Sequence, residues 1–269
     1  MDFLQILLLG IVQGISEWLP ISSKTLDTFL FLSMGGQPSQ SVAVLLYLHL
    51  GTLVAATIYF RHKLWEMAKE LLSVRAIDDL KKDKFTFYLF ALAGTGVVGL
   101  PLYLLQKYFL SDISASMLFV VMGVGLLVTS ALLFVQKGKV HEKKATEAGW
   151  FDGLVCGAFQ GLSALPGISR SGTSTTGLIL RKFEPDAAFE LSFILSIPSV
   201  IGAELVLYLL NSSVAIFDPI AGLMLAATSF VFGYLTIGML IGFAKKVNLA
   251  MLALAFALVM IVAGLIGLS

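Results

Sequence analysis

The chain has 269 residues, 58% of them hydrophobic and 13% charged, with a mean hydropathy of +0.92; an ordinary soluble domain is about half apolar and about a quarter charged. That excess excludes a normal soluble enzyme, a disordered chain and a nucleic-acid-binding domain. The net charge of +1, from 18 Lys+Arg against 17 Asp+Glu, offers no basic face to a polyanion. The solvent of this chain is lipid, and its one cysteine, Cys156, allows no internal disulfide.

The opening Met1-Asp2-Phe3 has neither a basic n-region nor a small-residue cleavage pattern, which argues against a removable signal peptide. Residues 3–34 hold an apolar run broken by Ser16-Glu17-Trp18-Leu19-Pro20-Ile21-Ser22-Ser23-Lys24. Stretches 42–60, 86–106 and 114–136 follow, each long and apolar enough for a hydrocarbon core that needs about 20 residues. After the basic segment 137–150, residues 151–180 repeat the broken pattern, with Ser163-Ala164-Leu165-Pro166-Gly167-Ile168-Ser169-Arg170-Ser171-Gly172 at the break. Three further spans complete the chain at 188–210, 219–243 and 248–268. Pro101, Gly123, Gly125, Pro198 and Gly202 are residues that membrane helices tolerate at kinks and close contacts.

Each arm of the two broken regions is too short to cross alone. Non-helical backbone at membrane depth survives only when buried in protein or lining a wet cavity. Both regions therefore read as re-entrant hairpins, a half-helix in and a half-helix out. The fold class predicted is an all-α polytopic membrane protein, a single membrane domain over 1–269 with six transmembrane helices and two re-entrant helical hairpins.

Charge predicts the orientation. Segment 61–84 carries Arg61, Lys63, Lys69, Arg75, Lys81, Lys82 and Lys84, segment 137–150 carries Lys137, Lys139, Lys143 and Lys144, and Arg181, Lys182, Lys245 and Lys246 sit in two further loops. With six crossings and two returning hairpins, these fifteen residues share one side and Lys107 stands alone on the other. The positive-inside rule makes the fifteen cytoplasmic. Both termini and the first hairpin's mouth then face outward, and the second hairpin's mouth faces the cytoplasm.

Offsetting the chain by 147 residues lays Gly10, Gln13, Gly14, Ser16, Ile21 and Ser22 on Gly157, Gln160, Gly161, Ser163, Ile168 and Ser169 without a gap. Ser23 meets Arg170 and Lys24 meets Ser171. Because the hairpins enter from opposite sides, pseudo-repeats 1–136 and 151–269, joined by cytoplasmic loop 137–150, are inverted. Such repeats place a site near the midplane, where half-helix N-termini point at anions.

A charge inside a membrane is costly and functional by default. Glu17 and Arg170 occupy pseudo-equivalent breaks and are expected to meet in the middle of the fold. Gln13, four residues before Glu17, shares its helical face. Ser22 opens the run Ser22-Ser23-Lys24-Thr25 as an expected N-capping serine, and Ser169 does the same for Ser169-Arg170-Ser171-Gly172-Thr173-Ser174. Two helix N-termini, many hydroxyls, an arginine and a lysine suit a phosphate.

With these residues in view, the sequence resembles the BacA-type undecaprenyl-pyrophosphate phosphatases. The family's (E/Q)xxxE motif stands here as Gln13-Gly14-Ile15-Ser16-Glu17, its Pro-x-Ser-Ser stretch as Pro20-Ile21-Ser22-Ser23, and its PGxSRSxxT signature as Pro166 to Ser174, a serine replacing the closing threonine. The resemblance covers essentially the whole chain. It implies hydrolysis of a polyprenyl diphosphate to the monophosphate and inorganic phosphate, recycling the lipid carrier for cell-envelope glycan synthesis. It also implies an outward-facing site in the plasma membrane and dependence on a divalent cation, Mg²⁺ or Ca²⁺. Glu17, Ser23 and Arg170 are the expected catalytic residues: Ser23 as the attacking hydroxyl, Glu17 as its activator or as a holder of the cation, Arg170 on the transferring phosphoryl oxygens. Gln13, Ser22, Lys24, Gly167, Ser169, Ser171, Gly172, Thr173 and Ser174 are the expected substrate-binding set. The expected partners are the polyprenyl diphosphate and membrane lipids, with a second copy of the chain as a candidate and no nucleic acid.

Where the family usually follows its serine pair with Thr-Gly-His, this chain has Lys24-Thr25-Leu26, and Leu26 has no proton to transfer. Lys24 adds a positive charge there. His49, in the middle of a span, is open to two readings, a replacement base or a histidine satisfied by a neighbouring carbonyl. His62 and His141 read as solvated loop residues, Glu204 as reaching the outer interface, and Trp18 as part of an interfacial belt. Zinc and P-loop patterns are absent. The rival reading is a polyprenyl-phosphate carrier or flippase with little or no hydrolysis, since inverted repeats with broken helices are also transporter architecture.

Overall fold

The computed structural model describes residues 1–73, 84–110, 113–210, 217–244 and 247–267. Arg75, Lys81, Lys82, Lys245 and Lys246, which entered the charge argument, lie outside the described residues. Among the described residues there are eleven α-helices: α1 (Phe3–Ser16), α2 (Ser23–Ser33), α3 (Ser41–Tyr59), α4 (Arg61–Ser73), α5 (Lys84–Phe109), α6 (Ala115–Val135), α7 (Trp150–Gly161), α8 (Arg170–Leu180), α9 (Pro185–Leu210), α10 (Pro219–Ala244) and α11 (Leu249–Ile266). Six of them, α3, α5, α6, α9, α10 and α11, are long and apolar enough to cross a membrane, at the positions read from hydropathy. The chain is a polytopic all-α membrane protein.

Local sequence explains the shorter helices. Asp2 starts α1 with a capping box, its carboxylate accepting from the Gln5 N–H while the Gln5 side chain accepts from the Asp2 N–H. At 14 residues, α1 is about 21 Å long, well short of a hydrocarbon core of about 30 Å. The break after it ends at Ser22, whose φ of +64° is left-handed. Ser22 stands at the N-cap position of α2 but makes no capping bond; its hydroxyl pairs with that of Thr25 at 3.0 Å. The expected serine cap is therefore corrected: the turn geometry at Ser22 aims the next residue, Ser23, and leaves its own oxygen away from the first-turn amides. Ser169 does cap α8, accepting from the Gly172 N–H at 3.2 Å. The second break turns at Gly167, with φ +81°, where an added Cβ would lie 2.0 Å from the Met122 carbonyl.

The hairpins dock crosswise. Helix α1 of the first half packs along α10 of the second, and α7 of the second packs along α5 of the first. Glycines make both contacts close: a Cβ on Gly10 or Gly14 would strike Thr228 or Gly233, and one on Gly157 or Gly161 would strike Ala91 or Val98. These are the glycines paired by the 147-residue offset. Without a hydrophobic drive between helices in lipid, such backbone approach is what lets dispersion hold them together. Helices α6 and α11 pack against each other, as do α3 and α10.

Trp18 departs from expectation. It is 1% exposed, its indole N–H donates to the Gly233 carbonyl at 3.1 Å, and its ring meets Phe193 edge-on. It is a core residue and not an interfacial one, because the break folds inward onto α10 and α9. Leu104, Leu223 and Val262 are among the large apolar residues left exposed on spanning helices, as a lipid-facing surface requires.

Ion pairs gather the basic segments. Lys143 and Arg181 share Asp152, Lys182 pairs with Glu142, and Lys63 pairs with Glu190. His141, read as solvated, lies 3.1 Å from the Phe183 carbonyl in the same layer.

Replacing Gly157 by valine should lower the melting temperature in detergent markedly, since its Cβ would sit 2.0 Å from the Ala91 carbonyl and overpacking of this kind costs about 1–3 kcal/mol or more. Gly96→Ala, where nothing lies within 4 Å of the new Cβ, should leave it unchanged or higher. Equal melting of the two variants would disprove the close-contact role.

Candidate active site

The two breaks meet. Glu17, one residue past the end of α1, receives the Arg170 guanidinium, Nη2 lying 2.5 Å from Oε1. Its other oxygen, Oε2, accepts from the Ser23 hydroxyl at 2.6 Å and from the Gln13 amide at 3.1 Å. Gln13 is fully buried and also donates to the Thr52 hydroxyl at 3.1 Å, which fixes the face of α1 that carries Glu17. Gln160 occupies the matching place in the second half and donates to Thr95 and to Ser199. Thr52 and Ser199 are themselves 147 residues apart.

Two more bonds tie one hairpin to the other. The Lys24 ammonium donates to the Ser163 carbonyl at 2.7 Å, and the Ser171 hydroxyl donates to the Leu19 carbonyl at 3.3 Å. The first turns of α2 and α8 open beside this junction. Helix first-turn N–H groups lack intrahelical partners and favour anions.

The junction forms one end of a cavity of about 530 Å³. Glu17, Ser22, Ser23, Lys24, Ser169, Arg170 and Ser171 line its polar end. Beyond them the wall is mostly apolar, with Leu92, Gly99 and Leu100 from α5 facing Pro198, Ala203 and Leu207 from α9. Arg170 divides its donors between two tasks. Nη2 is anchored on Glu17, while Nη1 is buried with no hydrogen-bond partner. An unmet buried donor costs about 1–3 kcal/mol or more, a cost relieved when an anionic oxygen arrives.

Not every expected residue reaches the cavity. Gly167 turns against Met122, and Gly172 packs on Thr129. Thr173 and Ser174 donate their hydroxyls back to the Arg170 carbonyl, and Ser174 also pairs with Ser192 at 2.6 Å. These four shape α8 behind the site. Gln13 likewise stands behind Glu17.

Three residues gain importance from the tertiary structure. His49 lies in the site: its Nδ1 is 2.7 Å from the Leu45 carbonyl and its Nε2 is 3.6 Å from Glu17 Oε2. The neighbouring-carbonyl reading fits Nδ1, while Nε2 faces the Glu17 carboxylate. Glu204, expected at the outer interface, is instead buried and lines the cavity, with Oε2 unpartnered. The rotation of α9 turns it inward, which distance from the span's end does not reveal. Asp27, one turn past Ser23, is fully buried with both oxygens unpartnered. Its signal was a carboxylate inside an apolar half-helix.

The donor set does not fit a resident metal at Glu17. Both of its oxygens are engaged by Arg170, Ser23 and Gln13, and among the described residues no three His, Cys, Asp or Glu converge as ligands.

Residues 6–266 match the family described as bacitracin resistance protein BacA. The chain belongs to the BacA family. It is 39% identical to an undecaprenyl-diphosphatase of Methanococcoides burtonii over 254 residues, covering 90% of this chain and 91% of that one. It is 34% identical to an undecaprenyl-diphosphatase of Haloarcula marismortui, over 97% and 96% of the two chains. A third, from Pyrobaculum islandicum, is 34% identical over 98% and 97%.

Because Glu17 is buried and Arg170 is its partly buried partner, Arg170→Met alone should destabilise by up to about 3–5 kcal/mol through the uncompensated carboxylate. Glu17→Gln in the same chain should restore much of that loss. Thermal unfolding of the two single variants and the double variant measures the coupling; strictly additive effects would deny the pair its structural role.

Proposed function

We propose that this chain hydrolyses a polyprenyl diphosphate of the undecaprenyl type to the monophosphate and inorganic phosphate. The observation that carries the reading is the Arg170 guanidinium, anchored by one nitrogen on Glu17 with the other unpartnered, in a residue that lines a cavity with both polar and extensive apolar walls. The shape suits an amphiphile with an anionic head and a hydrocarbon tail. The relatives named undecaprenyl-diphosphatase support the same substrate.

In this reading Ser23 Oγ attacks the terminal phosphorus while its proton passes to Glu17 Oε2, already 2.6 Å away. Arg170 and the first-turn N–H groups of α2 and α8 meet the charge growing on the phosphoryl oxygens. Lys24 offsets further charge of the diphosphate, and Gln13 holds Glu17 in place. The lipid monophosphate leaves, and water then releases phosphate from the serine. A divalent cation of the kind the family resemblance implies would reach this site on the phosphates themselves, and no step is assigned to it. A carrier that only binds would have no use for a hydroxyl held against a carboxylate, so the hydrolase is the reading we adopt.

The halves are proposed to be inverted pseudo-repeats, 1–136 and 151–269, with loop 137–150 between them and both hairpins re-entrant. The crosswise docking of α1 and α7, and the equivalent bonds of Gln13 to Thr52 and Gln160 to Ser199, support this. The basic segments then face the cytoplasm of a plasma-membrane protein, with the site open outward.

Ser23→Ala should abolish phosphate release from undecaprenyl diphosphate, by about 10³-fold or more as for a lost nucleophile, and leave lipid binding largely intact. Ser22→Ala should retain most turnover. Full hydrolysis by the Ser23→Ala protein would remove the serine mechanism.

The orientation is tested separately. The native Cys156 is buried, so single added cysteines report alone. In intact cells Asp218→Cys should label with an impermeant thiol reagent and Lys139→Cys should not; the reverse pattern would invert the topology.

A further inference from the structure

The step proposed above leaves a proton on Glu17, and Glu17 must lose it again before the next turnover. Around that carboxylate, Arg170 and Lys24 are cations, and Ser23 and Gln13 are neutral donors. Asp27 and Glu204 are further carboxylates that feel its charge, and the neutral base beside it among the described residues is His49, 8% exposed, which also lines the cavity. Its ring is oriented. The Leu45 carbonyl can only accept, so Nδ1, 2.7 Å from it, carries the hydrogen and the neutral ring presents its lone pair at Nε2. That nitrogen lies 3.6 Å from Glu17 Oε2, the oxygen that holds the Ser23 hydroxyl at 2.6 Å. Ser23 Oγ, Glu17 Oε2 and His49 Nε2 therefore stand in series, with the carboxylate in the middle.

We infer that His49 accepts from Glu17 the proton released by Ser23, and so stands on α3 where the missing histidine of the serine helix would otherwise be needed. The inference rests on the hydrolase reading. In the first half-reaction the Ser23 Oγ–H bond breaks and an Oγ–P bond forms. The bond from that phosphorus to the bridging oxygen breaks, its electron pair leaving with the lipid monophosphate. The proton moves to Glu17 Oε2 and then to His49 Nε2, giving an imidazolium and restoring the carboxylate. In the second half-reaction water attacks the phosphoserine and the P–Oγ bond breaks. One proton of that water returns to Ser23 Oγ through Glu17 and the other stays on the phosphate. The imidazolium passes its proton to water entering the cavity as inorganic phosphate leaves, so that the cycle releases one proton to solvent. His49 touches Glu17 and not the substrate, so it is a positioning residue that acts through the carboxylate.

The test uses the full-length protein in detergent with undecaprenyl diphosphate, comparing wild type, His49→Ala, His49→Gln and Ser23→Ala. General acid–base assistance is worth about 10²–10⁴-fold, so His49→Ala should lose about 10²-fold in kcat, with KM changed by no more than about threefold because ground-state binding is untouched. Added imidazole should restore part of the lost rate, and pyrrole, a ring of the same shape without a basic nitrogen, should not. If His49→Ala fails to fold, His49→Gln, which keeps a polar side chain at the position, decides the matter by the same loss of kcat. A folded variant with wild-type kcat, or equal rescue by imidazole and pyrrole, overturns the relay while leaving the hydrolase reading intact. Absence of phosphate release from the wild type overturns both.

Discussion

The contact between Glu17 and Arg170 joins two chain segments that are 153 residues apart, each at the break of a hairpin that cannot cross a membrane by itself. Two charges in such a place are tolerable only together, since removing either leaves the other unpaired in a low-dielectric interior. Their union fixes the relation of the hairpins, and the neighbouring groups take their positions from it. Ser23 is held by one oxygen of Glu17 while Arg170 takes the other, and the second guanidinium nitrogen is buried without a partner. Structural and chemical roles thus fall on the same pair of side chains.

The hairpins reach that meeting point because glycines let them. Gly10 and Gly14 bring α1 against the backbone of α10, and Gly157 and Gly161 bring α7 against α5. A methyl group at any of these positions would push a half-helix outward, and with it the break that it carries. The cavity that remains combines a charged group of residues with walls from α5 and α9 that are largely, though not wholly, apolar. This division matches a lipid with a phosphorylated head more closely than it matches any soluble anion.

Two departures from expectation, at Trp18 and Glu204, and the choice left open at His49 share one cause: each is decided by which way its element faces. The fold of the first break buries Trp18 against Phe193, the rotation of α9 turns Glu204 into the cavity, and α3 brings His49 against Glu17. Gly167, Gly172, Thr173 and Ser174 show the opposite effect. They belong to a contiguous signature, yet one helical turn can present only part of its circumference to a cavity; Gly172, Thr173 and Ser174 build the helix behind it, and Gly167 makes the turn that precedes it.

Composition and hydropathy alone determined the membrane class and the six spans, because the length of an apolar run is set by bilayer thickness and needs no knowledge of neighbours. The 147-residue offset pointed to Gln13, Ser23 and Arg170, and the charge inside an apolar stretch pointed to Glu17 and Arg170, since charge in a hydrocarbon setting is conspicuous wherever it occurs. Side-chain direction was not determined in this way. Whether Ser22 caps a helix depends on a left-handed φ, and whether His49 faces a carboxylate depends on how α3 lies beside the first break. Those are consequences of packing between segments far apart in sequence, and only the tertiary structure decides them.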